Sequence, residues 1–213
     1  MTSSTDIGRR EALIGAGAAL LAGGAAAAPA ITVLGDSITA GYGLKAQEAL
    51  PVQLQAALAR AGVAARVRNA GVNGDTTSGG LARLDRAVPK DTDVCVVALG
   101  GNDLLMGVAP ARTKANLDAI VRRLKARGIT PVLAGMRAPP LLGAAYQQAF
   151  DAVWPSLARA HGVALYPFLL EGVALDPRFN LSDRIHPNAQ GVRIIAERLA
   201  PVVAKTLKAT RSI

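Results

Sequence analysis

A chain of 213 residues is long enough for one domain with a sizeable core, and 51% hydrophobic content with only 3% aromatics means a core of Ala, Val, Leu and Ile. The net charge of +9 would attract an anionic partner. Its lysines and arginines are scattered, however (Arg60, Arg66, Arg83, Arg122, Lys125), and no interleaved aromatics offer a stacking platform, which argues against nucleic-acid binding.

At the amino terminus Gly8-Arg9-Arg10-Glu11 opens an uncharged, Ala- and Gly-rich run from Ala12 to Ala28. Small residues follow at Ala28-Pro29-Ala30. Charged start, modest apolar middle and small-residue end predict a secretory signal peptide over residues 1–30 and one domain over 31–213. The expected location is periplasmic or secreted. The paired arginines point to the twin-arginine route, although Ala12 stands where a bulky apolar residue is common. The run is short and glycine-broken for a spanning helix, so cleavage without stable membrane insertion is expected.

Ile31 to Leu34 then reads as a short buried strand, broken by Gly35 and followed by Ser37. A serine just past a central strand, on a glycine-assisted turn, stands where open α/β sheets bind ligands. The alternatives at this point are a structural turn or a phosphate-cradling loop, but no G-x-x-x-x-G-K-[ST] is present. Pro51 suits a first helical position, and Leu54, Ala57, Leu58 and Ala61 form an apolar stripe closed by Gly62. Val63 to Ala70 predicts a second strand, Gly71 to Gly74 a loop, and Asp75 or Thr76 a cap for a helix running to about Val88. Val94 to Leu99 is wholly apolar, as in a strand covered on both faces. The one cysteine, Cys95, lies inside it and reads as a core residue.

Gly100 to Pro110 predicts a loop, and Leu117, Ile120, Val121 and Leu124 a helix ended by Gly128. Pro131 to Met136 reads as a fourth strand, Ala138 to Leu142 as a proline-containing loop, and Phe150, Val153 and Leu157 as a helix ended by Gly162. Val163 to Tyr166 is the fifth strand. Val192, Ile195, Leu199 and Val202 mark a last helix that Pro201 is expected to kink. Strands alternating with helices give a parallel sheet covered on both faces.

A serine hydroxyl becomes a useful nucleophile only when a base takes its proton. The chain has two histidines. His161 precedes Gly162 at a helix end, where the helix dipole alone accounts for it. His186 follows Asp183 by three residues, a spacing that lets the carboxylate reach one ring nitrogen across a turn and fix the tautomer. Taken alone, Asp-x-x-His reads equally as an ordinary surface turn. Two further loops fall at strand carboxyl ends, Gly71-Val72-Asn73-Gly74-Asp75 and Gly100-Gly101-Asn102-Asp103, and offer backbone and amide N–H donors of the kind a developing oxyanion needs.

Gly35-Asp36-Ser37, Gly74 in Asn73-Gly74-Asp75, Gly100-Gly101-Asn102-Asp103 and Asp183 to Pro187 together resemble the four blocks of the SGNH (GDSL) hydrolases. The branch of bacterial multifunctional thioesterase/lysophospholipase/arylesterases is the most similar, helped by Gly80-Leu81-Ala82-Arg83-Leu84 and the loop near Pro139. Ile38 departs from the Leu of the family name. The resemblance implies a flavodoxin-like three-layer α/β/α fold with five parallel strands; the sequence itself shows no metal-ligand cluster, and no cofactor or metal is expected. It implies Ser37 as nucleophile and amide donor, Gly74 and Asn102 as further oxyanion donors, His186 as base and Asp183 as its orienter. Leu104, Leu105, Met106 and Pro139 are expected to line an acyl pocket. The reading is a serine esterase for carboxylic esters, thioesters or lysophospholipids. The alternatives are a carbohydrate or peptidoglycan O-acetyl esterase and a non-catalytic binding module.

Overall fold

The computed structural model describes residues 1 and 28–211, so almost all of the expected signal segment lies outside the described residues. Five strands, β1 (Ala30–Gly35), β2 (Arg66–Gly71), β3 (Val94–Ala98), β4 (Thr130–Ala134) and β5 (Ala164–Tyr166), form one all-parallel sheet in the order β2-β1-β3-β4-β5. The central strand β3 is wholly apolar, and its neighbour β1 carries one buried polar residue, Thr32. Ile31, Val33, Leu34 and Val94 to Ala98 are buried, as expected where helices cover both faces. Edge strand β2 carries Arg66, Arg68 and Asn69 and is only partly covered.

The helical layers are α2 (Leu50–Arg60) against α9 (Ala189–Thr210), and α6 (Pro110–Ala126) flanked by α3 (Thr77–Ala82) and α8 (Val153–His161). Their apolar stripes account for this. Leu54, Ala57 and Leu58 of α2, Leu117, Ile120, Val121 and Leu124 of α6, and Val192, Ile195, Leu199 and Val203 of α9 are all buried. Strand order reverses between β1 and β3. An open parallel sheet has its crevice there, outside the carboxyl ends of the strands.

Several expected boundaries shift for local reasons. The second strand begins at Arg66, because the Val63 N–H turns back to the Leu58 carbonyl (2.9 Å) to close α2. Ser37 opens a one-turn helix, α1 (Ser37–Ala40), and the loop expected over Gly100 to Pro110 contains α5 (Gly101–Leu105). The helix expected to run to Val88 is split into α3 and α4 (Leu84–Ala87) at Arg83, whose side chain points to the strand ends. α8 is preceded by a separate α7 (Ala144–Asp151). Asn188 caps α9 by accepting from the Gln190 and Gly191 amides, and that helix runs on through Pro201.

Candidate active site

Ser37 stands at the first position of α1, directly past β1, and is 8% exposed. Its setting is built by small residues. A Cβ on Gly35 would overlap Thr39 Oγ1, so this turn tolerates no side chain there. Asp36 caps the helix by accepting from the Ile38 N–H (3.0 Å). Burial raises the Asp36 carboxyl to about 6, against the Ile38 N–H and the His186 charge, which pull it down.

His186 arrives from the loop before α9, 149 residues away, with Nε2 at 2.9 Å from Ser37 Oγ. Its Nδ1 lies 2.6 Å from Asp183 Oδ2. Asp183 Oδ1 accepts from the Ile185 and His186 amides (2.9 and 3.0 Å). The backbone N–H of His186 and the other hydrogen bonds hold the Asp183 carboxyl down at about 2. The turn requires Arg184 at φ 60°, a left-handed conformation that costs a non-glycine residue on the order of 1 kcal/mol or more. An anionic Asp183 accepting Nδ1–H leaves Nε2 as the acceptor for the serine hydroxyl proton.

The other two strand-end loops converge on the same place. Asn102, in the first turn of α5, donates Nδ2–H to the Asp75 carbonyl (2.8 Å). An amide has two hydrogens, so one remains for a ligand. Gly74 precedes Asp75 at φ 76°, with open space where a Cβ would be. Behind Asn102, buried Asp103 accepts from the Thr77 amide (2.8 Å) and hydroxyl (2.5 Å) and from Thr113 Oγ1 (3.2 Å). These bonds lock α5 to α3 and α6. His161 is placed elsewhere. Its Nε2 meets Asp118 Oδ1 at 2.7 Å between α8 and α6.

Beside Ser37 and His186 opens a cleft of about 450 Å³. Leu104, Leu105 and Pro139 line it, as anticipated. Met106 does not: it caps α5 with its side chain turned outward, 64% exposed. Gly74 is also outside the cleft wall. Sequence reasoning missed three further lining residues, Met136, Phe168 and Leu170, because they read as ordinary core and loop. It also missed Tyr42, whose ring centroid lies 4.5 Å from that of His186. The only signal for Tyr42 was an aromatic between two glycines in a chain poor in aromatics.

The arrangement offers a hydroxyl with a base, an oriented base, and N–H donors on neighbouring strand ends, next to an apolar cleft. Known proteins resemble the chain over most of its length. The chain is 38% identical over 183 residues to Esterase TesA of Pseudomonas aeruginosa, covering 85% of this chain and 91% of that one. It is 39% identical over 177 residues to Thioesterase 1/protease 1/lysophospholipase L1 of Escherichia coli strain K12, covering 83% and 84%. The crystal structure of AlinE4, an SGNH-hydrolase family esterase, superposes with a TM-score of 0.70 at 44% identity, over 84% of this chain and 96% of that one. With the GDSL-like Lipase/Acylhydrolase family profile matching residues 33–194, the chain belongs to that family and is an SGNH-type hydrolase of ester bonds.

Proposed function

We propose that Ser37, His186 and Asp183 are the catalytic residues of an esterase that works through an acyl-enzyme on oxygen esters or thioesters of hydrophobic acids. The observation that carries this is the continuous relay from Ser37 Oγ through His186 to Asp183, at 2.9 and 2.6 Å. Ser37 Oγ attacks the carbonyl carbon while His186 Nε2 takes its proton. The oxyanion is met by the Ser37 and Gly74 amides and by the second Nδ2 hydrogen of Asn102. His186 then returns the proton to the leaving alcohol or thiol. Water, deprotonated by the same nitrogen, releases the acid and restores Ser37. The apolar wall of Leu104, Leu105, Phe168 and Leu170 supports a substrate with an extended acyl chain rather than an acetylated sugar. Relatives named for esterase, thioesterase and lysophospholipase activity support the same class.

A fluorophosphonate and a panel of p-nitrophenyl esters, acyl thioesters, lysophospholipids and acetylated sugars test this together. Label on Ser37 with turnover rising from acetate to longer acyl chains is expected. An unlabelled Ser37, or cleavage of sugar acetates alone, would refute it.

We also propose export to the periplasm or beyond, with the signal segment removed. Pro29 O accepts the Arg66 amide (2.8 Å) and Ala30 N donates to Asp93 Oδ2 (2.7 Å), so both residues are tied into the sheet. A terminus at or before Pro29 keeps these bonds, and the mass of the exported protein tests it. A start at Ile31 would contradict that refinement.

A further inference from the structure

The proposed oxyanion donors come from three separate segments, after β1, β2 and β3. Something must hold those segments in register to a fraction of an ångström. One side chain bonds the ends of β1 and β2 directly and reaches the third segment through Asp75. Arg83, 12% exposed, donates from Nη2 to the last carbonyl of β1, Gly35 (3.0 Å), and to the Ala70 carbonyl at the end of β2 (2.9 Å). Its Nε donates to Asp75 Oδ2 (2.6 Å), and Asp75 is 9% exposed. The backbone carbonyl of that same Asp75 receives the Asn102 side chain. The fork therefore runs from the residue two before Ser37, through the residue after Gly74, to Asn102.

The neighbouring glycines fit around this fork. A Cβ on Gly79 would overlap Asp75 Oδ1, and one on Gly80 would overlap Leu99. Two glycines side by side in the short α3 are poor helix formers, and their presence is accounted for by the carboxylate and the leucine that occupy their side-chain space. Arg83 sits where α3 breaks from α4, which frees its side chain to reach the strand ends.

We propose that Arg83, held by Asp75 and admitted by Gly79, is a positioning residue that aligns the oxyanion donors and acts on the rate of acyl transfer rather than on substrate binding. This rests on the roles assigned above to Ser37, Gly74 and Asn102. Lysine cannot replace Arg83: an ammonium does not reproduce a planar fork with three donors at fixed angles.

The test is steady-state kinetics on a p-nitrophenyl ester with R83K, G79A, N102A, the double variant R83K/N102A and S37A, with circular dichroism on each. In folded R83K, kcat is expected to fall about 10²-fold with KM nearly unchanged, the scale of an ångström-level misplacement. G79A leaves every charge in place but displaces the Asp75 carboxylate, and kcat is expected to fall in the same way. It also keeps the inference testable should R83K fail to fold. Because Arg83 acts partly through Asn102, the loss in R83K/N102A is expected to be smaller than the product of the single losses. A wild-type kcat in folded R83K and G79A, a loss expressed in KM, or fully multiplicative losses would overturn the proposal. S37A separates the two readings. If S37A is inert and Arg83 is kinetically silent, only this inference fails. If S37A still turns over, the site assignment itself fails.

Discussion

The two edges of the sheet are built on opposite terms. At the carboxyl ends of the strands, large apolar side chains stand in solvent: Leu105, Leu141, Leu142, Leu175 and Ile185. At the amino ends, polar groups are matched to one another. Asp91 pairs with Arg66 and Arg68, Asp85 with Arg123 and Arg127, Ala30 N with Asp93, and Thr32 with Thr92. One edge satisfies its groups at home, whereas the other leaves donors, a hydroxyl and apolar surface for a substrate.

The largest expected effects lie at the open edge. Ser37→Ala and His186→Ala should each lower kcat by a factor on the order of 10⁶, and together hardly more, since the two act as one unit. Asp183→Asn should cost less, about 10⁴, by losing the tautomer rather than the base. Asn102→Ala should cost about 10²–10³ while fluorophosphonate labelling of Ser37 persists. Turnover with the ester panel measures all four, and a smaller loss for Ser37→Ala than for Asn102→Ala would reverse the assignment.

Next comes pH. The Asp36 carboxyl is raised to about 6 in the fold from an ordinary 3.8, so the folded state holds a proton that the unfolded chain has released. Its contribution is full below about pH 4 and is lost as pH rises through 6, a difference on the order of 3 kcal/mol. Asp183, held at about 2, works in the other direction: its contribution is present above about pH 4 and is lost as pH falls through 2. Thermal melts should show Asp36→Asn removing the decline between pH 4 and 6 while preserving the α1 cap. An unchanged profile would mean that the carboxyl is not buried as described.

The smallest effect is expected at the closed edge. Asp91→Ala removes two exposed ion pairs and should leave kcat untouched and the melting temperature nearly so, less still in high salt. A large loss of activity in that variant would erase the distinction between the edges.

Much of this was legible in the chain itself. Apolar runs bounded by glycine and proline marked the interior strands β1, β3 and β4 at nearly their true positions, because strands covered on both faces are largely apolar. Asp183 and His186 could be paired by spacing, since three residues make one turn and both partners belong to it. The core role of Cys95, whose thiol burial pushes up to about 12, also followed from local chemistry.

What only the tertiary structure decided involves long separations or a choice of direction. Ser37 and His186 meet because β1 is central and the loop before α9 returns to its end, a fact of strand order that no local spacing encodes. Leu105 and Met106 are adjacent and equally apolar, yet only the first lines the cleft, because α5 ends between them. Arg83 read as one more surface arginine within a helix. Its burial follows from the break between α3 and α4, and that break makes sense only with two strand-end carbonyls and the Asp75 carboxylate gathered around the guanidinium. Sequence determines which groups are available and how neighbours within a turn face one another. Packing the sheet decides which distant groups share a site, because that depends on strand order and on which helices give way to let a side chain in.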